Sequence, residues 1–344
     1  MNLYNKINSG EPYIIAEMSA NHCGDPAVAF RIIEEAAKAG ADCLKIQTYT
    51  ADTLTVNCSD EPYMIKGGLW DGYNYYRLYQ EAMTPWEWQK DLKQKCESEG
   101  MDFLSTPFDS TAVDFLEELG VEFYKIASYE LVDIPLIEYV ASKHKPIVMS
   151  VGMGSEEEIR EALEACYRQS NRQIVLLKCC SQYPARYEDM NLSSIPRLRE
   201  LFKVPVGLSD HSPGSLGPVV AVTQGAVVIE KHVCLSRDMG GPDAGFSMEM
   251  EEFAQMVRDV RNTVKILGKP TLELTENEKK GLCGRRSLVA VKEIRKGEIF
   301  TPENLRSIRP AIGIKPKYYR ELLGKPAFRD YRFGQGIDAS ELER

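Results

Sequence analysis

At 344 residues, with 43% hydrophobic and 27% charged residues, the chain is long enough to bury one large core and a smaller second one. Forty-two basic against 51 acidic residues give a formal net charge of −9, which argues against nucleic acid or an anionic membrane as the main partner. Any anionic substrate must therefore be held by a local cationic cluster.

The first apolar run, Tyr13–Glu17, is followed by a helical pattern over Pro26–Ala39 that ends at Gly40, a residue suited to a helix C-cap. The second run, Cys43–Gln47, leads into a long stretch from Tyr49 to Thr84 that carries the glycine-rich Gly67–Gly72 and six tyrosines. That exceeds a minimal connection from strand to helix and predicts a loop shaping a substrate pocket. Further runs at Phe103–Thr106, Phe123–Ile126, Pro146–Ser150 and Ile174–Lys178 are interspersed with helical patterns at Pro85–Glu99, Thr111–Leu119 and Glu156–Gln169. The last two runs, Val206–Ser209 and Val228–Lys231, precede a helix over Met250–Leu267 that stops at Gly268.

Eight runs rich in Val, Ile and Leu, as strands buried on both faces are, predict an α/β fold, a (β/α)8 TIM barrel over residues 1–268. In that fold the polar ends of the strands surround one pocket, so residues distant in sequence converge there. After a polar, turn-prone linker over 269–284, Arg285–Phe300 alternates like an antiparallel strand and turn, which predicts a small β-rich domain over 285–344. So short a domain needs support from a partner surface. No apolar segment reaches the about 18 residues of a membrane-spanning helix, and the first residues lack a secretory apolar region, so a cytoplasmic location is expected. Nine cysteines, an odd number with no C-x-x-C pair, point to reduced and mostly buried thiols.

Three of the four histidines, His22, His211 and His232, lie beside strand ends, whereas His144 falls in a helix-to-strand connection at the opposite end. His211 and His232 follow the seventh and eighth strands, which are neighbours in a closed barrel. Two imidazoles there can share a divalent cation, with Glu17 or Asp243 supplying or ordering further ligands. Lys45, Lys125 and Lys178 lie within strands, where an unpaired ammonium is costly; each must pair with a carboxylate, bind an anion or serve as a nucleophile. Ser105, Thr106, Ser128, Ser150 and Ser209 place hydroxyls around the same opening, suited to holding a phosphate and a carboxylate together. The loops Asp210–Gly214 and Gly240–Gly245 begin at the same face.

At these residues the chain resembles the sialic acid synthase family, with its pseudaminic branch nearest. The stretches that carry the resemblance are Ile15–His22, Lys45–Asp52, Leu69–Gly72, Thr84–Trp88, Ser105–Asp109, Tyr124–Ser128, Gly207–His211, Glu230–His232 and Gly241–Asp243. The tail, with Arg285–Leu288, is similar to the antifreeze-like (SAF) domain of that family. Cys23 and Ser181–Pro184 depart from the family's commoner pattern at positions expected near the sugar.

The resemblance implies a TIM barrel followed by a SAF domain, and condensation of phosphoenolpyruvate with an open-chain amino sugar, releasing phosphate by C–O cleavage. It further implies that His211 and His232 hold a divalent metal, Mn2+ or Mg2+. Lys45, Lys125, Ser128, Ser150 and Ser209 would bind phosphoenolpyruvate, with Thr106 as a helper. Glu17, Gln47, Tyr183 and Asp243 would face the sugar, and Glu17 is the residue expected to manage protons. Arg286 would reach an N-acetyl group in the barrel of a second subunit of a domain-swapped homodimer. Arg285 is the alternative, because adjacent residues of a strand face opposite ways. Competing readings are a neuraminate or legionaminate synthase, a Schiff-base aldolase using a strand lysine, and a non-catalytic carbohydrate- or ice-binding protein.

Overall fold

The computed structural model describes residues 3–343; Met1, Asn2 and Arg344, the outermost residues of the two expected domains, lie outside them. The chain divides into two compact units, the first ending at Gly268 and the second beginning at Lys269.

In the first unit eight parallel strands follow one another: β1 Tyr13–Glu17, β2 Cys43–Thr48, β3 Asp102–Pro107, β4 Tyr124–Ile126, β5 Ile147–Ser150, β6 Ile174–Cys179, β7 Val206–Asp210 and β8 Val228–Cys234. The hydrogen-bonded order is β3-β2-β1-β8-β7-β6-β5-β4, and β3 and β4, the two ends of that ladder, lie against each other to close the ring. A two-residue strand, β9 (Met248–Glu249), adds to β8.

Strand alternation divides each run into an outer and an inner set. Outward residues such as Ile14, Leu44, Phe103, Ile126, Met149, Leu176 and Leu208 pack with the surrounding helices in the main core. Inward residues Ile15, Cys43, Leu104, Phe123, Val148, Val175, Leu177 and Val228 form a second apolar cluster inside the barrel. The helix Leu3–Ser9 closes that cluster from the N-terminal ends of the strands, with Leu3, Tyr4 and Ile7 packed against it and Lys6 paired with Asp42. The barrel floor is thus apolar, and the polar residues sit one layer higher, toward the C-terminal strand ends.

Most helical expectations correspond to observed elements: Pro26–Ala39, Trp86–Ser98, Ser110–Leu119, Glu156–Arg168 and Met250–Leu267 are helices. Gly40 closes the first with φ 93°, which only glycine adopts without strain. Shorter helices at Ile134–Ala141, Ser194–Phe202 and Leu216–Thr223 complete the alternation without a long amphipathic signal in the sequence. The long stretch after β2 holds two short helices, Ala51–Leu54 and Tyr75–Ala82, joined by turns.

The second unit opens with a short helix, Glu276–Gly281, whose Thr275 N-cap and Glu278 form a reciprocal capping box. Its sheet pairs β10 (Ser287–Ala290) antiparallel with β11 (Leu305–Ile308). The expected strand partner is therefore not within 285–300 but beyond it. Between Ala290 and Phe300 the described residues make isolated bridges, Ile294 to Tyr331 and Ile299 to Pro326. Leu288, Ala290, Phe300, Leu305, Leu322, Tyr331 and Ile337 form its separate core.

Candidate active site

Above the apolar floor, the next inward residues are charged. Lys45 Nζ lies 2.8 Å from Glu17 Oε2 and 3.7 Å from Glu230 Oε1, and donates to Thr106 Oγ1 at 3.3 Å. Lys125 Nζ donates to Ser150 Oγ at 2.7 Å and lies 3.6 Å from Glu230 Oε1, which also accepts from Ser209 Oγ at 3.2 Å. Both ammonium groups are almost wholly buried, so two cations and a row of hydroxyls share a space of low dielectric.

The charges set one another. Burial pushes the Glu17 carboxyl up, more than Lys45 pulls it back, and neighbouring Glu230 adds to the rise. Burial would also raise Glu230, yet Lys125, Lys45 and His211 hold it below the usual carboxylate value. Burial pulls Lys125 down more than Glu230 restores it, whereas Glu17 and Glu230 overcome the same burial penalty to hold Lys45 above its ordinary value. An arriving anion would meet Lys125 and the hydroxyls of Thr106, Ser150 and Ser209 with their donors converging.

Glu17 links this cluster to a second one. Gln47 Nε2 donates to Glu17 Oε1 and to Ser19 Oγ, each at 3.0 Å, and Ser19 Oγ donates to Asp243 Oδ2 at 2.5 Å. Burial raises the Asp243 carboxyl against the opposing bonds from Ser19 and Ala20. Glu17, Gln47 and Asp243 thus form a continuous polar edge around the strand ends.

His211 and His232 stand side by side, their ring centroids 5.2 Å apart. His211 Nδ1 donates to the carbonyl of Cys180 at 3.0 Å, which leaves Nε2 as its free ligand atom. The buried Nδ1 of His232 has no hydrogen-bond partner, and burial followed by the repulsion of His211 and nearby lysines holds its pKa well below the ordinary value. It is therefore neutral, the form that ligates a metal. Among the described residues no cluster of three or more His, Cys, Asp or Glu has the arrangement of a full metal cage. A cation here would take two imidazoles from the protein and complete its shell with substrate or water, as an open catalytic site requires.

An aromatic wall lines the histidine pair. Tyr183 lies 4.5 Å from His211 and 5.1 Å from Phe246, measured between ring centroids; Phe246 is 4.9 Å from His232. Trp70, from the long stretch after β2, lies 5.7 Å from Tyr183 with the rings tilted by 54°, and donates its indole N–H to Pro242 O at 2.8 Å.

Models of known families match both units. The NeuB family model matches residues 32–271 and the SAF domain model residues 285–343. The chain belongs to the NeuB family. This NeuB-family protein is 45% identical over 330 residues to the pseudaminic acid synthase of Campylobacter jejuni subsp. jejuni serotype O:23/36, covering 96% of each chain. It is 42% identical over 335 residues to that of Helicobacter pylori, covering 97% of this chain and 98% of the relative. Among solved structures, the N-acetylneuraminic acid synthetase of Leptospira borgpetersenii, in complex with citrate, superposes with a TM-score of 0.71 at 33% identity, covering 79% of this chain and 91% of that one.

Three expected positions, Lys178, Ser105 and His22, fall elsewhere in the NeuB-family protein, while Ser128 and Arg286 lie on the elements expected of them. Lys178 lies between the inward residues Leu177 and Cys179, so it faces out of the barrel and donates to the Cys179 carbonyl at 3.2 Å instead of joining the other lysines. Ser105 likewise alternates with inward Leu104 and Thr106, and its hydroxyl lies 2.6 Å from Thr48 Oγ1 on the outer face. His22 turns against Trp88, 5.6 Å away, and its Nδ1 accepts from Gly24 N at 3.0 Å. Ser128 lies in the turn after β4, where its hydroxyl accepts from Gly152 N at 3.1 Å. Arg286 belongs to the second unit, exposed, with Nη1 donating to Ser307 O at 3.0 Å.

The structure also contributes residues that the sequence reading passed over. Glu230 is the carboxylate between the two lysines; it precedes His232 by two residues, so strand periodicity alone marks it as inward. Glu130, in the turn Ser128–Val132 just past β4, is raised to about 7 by burial, with Oε2 buried and unpartnered. Phe246 has no sequence signal of its own.

Proposed function

We propose that this protein condenses phosphoenolpyruvate with the open-chain form of 2,4-diacetamido-2,4,6-trideoxy-L-altrose, yielding pseudaminic acid and phosphate. The observation that carries this is identity of 42–45% with pseudaminic acid synthases over nearly the whole chain. The convergence of two buried lysines, three hydroxyls and two imidazoles at one barrel mouth supports the same chemistry.

Lys45 and Lys125, with Thr106, Ser128, Ser150 and Ser209, would hold the phosphate and carboxylate of phosphoenolpyruvate. They supply orientation and charge neutralisation in a site that needs little rearrangement. His211 and His232 would hold the divalent cation, Mn2+ or Mg2+. Such a cation, when bound, polarises the aldehyde oxygen so that C3 of phosphoenolpyruvate can attack. Gln47, Tyr183 and Asp243 would position the sugar, and the rings of Trp70 and Phe246 would give its terminal methyl group an apolar surface. Glu17, raised by burial and bridging Lys45 to Gln47, would move the proton at the sugar oxygen or at the water that adds to C2.

The protein would act in the cytoplasm as a domain-swapped homodimer, with Arg286 of one subunit reaching an N-acetyl group bound in the other. The decisive assay follows phosphate release from phosphoenolpyruvate with Mn2+, comparing the trideoxy sugar with N-acetylmannosamine and with a chelated control. Metal-dependent release with the trideoxy sugar alone supports the proposal. Preference for N-acetylmannosamine would keep the chemistry and overturn the sugar assignment.

A further inference from the structure

His211 and His232 can share one cation only if their separation is already set, and the ladder between their strands ends before both are reached. The last register pair of β7 and β8 is Asp210 with Lys231, after which His211 leaves the sheet. By alternation Ser209, Glu230 and His232 face the pocket, and Asp210 and Lys231 face away from it.

Behind the pocket, Lys231 Nζ lies 2.6 Å from Asp210 Oδ2 and also donates to the carbonyl of Ser212. Asp210 Oδ1 accepts from the Ser212 amide at 3.0 Å. The side chains of Lys231 and Asp210 are 1% and 0% exposed. Two bonds from Lys231 thus join the residue that precedes His232 to the two residues that flank His211, and a third ties those two to each other. The packing leaves little slack, since a Cβ at Gly217 would stand 2.8 Å from Ser212 Oγ and 3.3 Å from Asp210 Oδ1. A buried ion pair is a weak contributor to stability, and well-packed neutral residues often replace one at no cost. Its place here is better explained by what it holds.

We propose that the Lys231–Asp210 pair is a positioning clamp that sets the spacing of the two imidazoles before the cation arrives, and takes no part in the reaction itself. This rests on reading His211 and His232 as the cation ligands. The clamp ties the free loop end of one strand to the rigid strand of the other, doing beyond the ladder what backbone hydrogen bonds do within it. Loss of such an outer support typically weakens metal affinity about 10–100-fold.

The test titrates Mn2+ alone into the full-length apo protein and reads free Mn2+ by electron paramagnetic resonance, at a temperature where every variant is folded by circular dichroism. Lys231→Met removes the clamp but strands a buried carboxylate; the double variant Lys231→Met with Asp210→Asn removes it and leaves no unpaired charge. Lys6→Met breaks a different buried pair, Lys6 with Asp42 at the opposite end of the barrel, and serves as the stability control. The expected result is Mn2+ binding weakened about 10–100-fold in the double variant, with Lys6→Met less stable but binding as wild type does. Wild-type affinity in the folded double variant would overturn the clamp while leaving the ligand pair intact. Equal weakening in Lys6→Met would also overturn it, by tracing the loss to general destabilisation. Absence of Mn2+ binding by the wild-type protein would overturn the ligand reading and the clamp with it.

Discussion

Replacing Glu130 with Gln isolates the energetic cost of one buried carboxylate. Burial raises this group from 4.5 to about 7, with a hydrogen bond from its own backbone amide and then Lys125 only partly opposing. A folded pKa above the unfolded one means that the folded state holds the proton more tightly. The wild-type protein therefore bears no penalty from this group well below pH 4.5, and loses stability as pH rises until the folded carboxyl itself ionises above about 7. At 1.36 kcal/mol per unit, the wild type should lose about 2.5 kcal/mol more than Glu130→Gln between pH 5 and pH 8. Denaturant titration followed by tryptophan fluorescence is the assay. Trp70, Trp86 and Trp88 are the only tryptophans and all precede Gly268, so the signal reports the barrel unit alone. A stability difference between the two proteins that stays constant from pH 5 to pH 8 would refute the reasoning, since it would mean that Glu130 titrates alike in the folded and unfolded chains.

Lys125→Met should raise KM for phosphoenolpyruvate about 10–150-fold, the worth of a charge-assisted hydrogen bond, with a much smaller change in KM for the sugar; initial-rate kinetics with each substrate varied would show equal changes if Lys125 only supported the fold. Glu17→Gln should lower kcat about 100-fold or more and alter the pH profile; full turnover with a normal profile would remove its proton role. Truncation after Lys269 should leave a barrel with cooperative unfolding by circular dichroism and much reduced sugar-dependent phosphate release; unchanged turnover would show that the second unit does not complete the site. Chelation should abolish phosphate release and added Mn2+ restore it, whereas metal-independent turnover trapped by borohydride would favour Schiff-base chemistry.

The barrel was legible because it is written in local terms. Eight apolar runs of strand length, separated mostly by helix-length gaps, leave few alternatives, and right-handed crossovers close such a series into a ring. Once closed, the period of two assigns faces: Glu17, Lys45, Lys125, Ser150 and Ser209 share the inward set with the apolar floor beneath them. The same rule, applied strictly to β6 and β3, turns Lys178 and Ser105 outward, although proximity in sequence to true pocket residues had grouped them with it. In the second unit the strand Ser287–Ala290 was legible, but its partner was not, because antiparallel pairing across 14 intervening residues leaves no local pattern.

Sequence by itself determined the layered barrel, the second β-rich unit and the residue types that ring the mouth, since strand period and chain order act through the backbone alone. Tertiary structure alone decided that His22 packs on Trp88, apart from the pair His211 and His232 that strand order had already singled out. It also decided that Trp70, Tyr183 and Phe246, from three separate loops, form one wall, and that Lys231 and Asp210 lock the strand ends from behind. These arrangements depend on how loops and outward faces pack after the ring has closed. Packing is set by contacts between segments far apart in sequence, for which no short-range periodicity exists to be read.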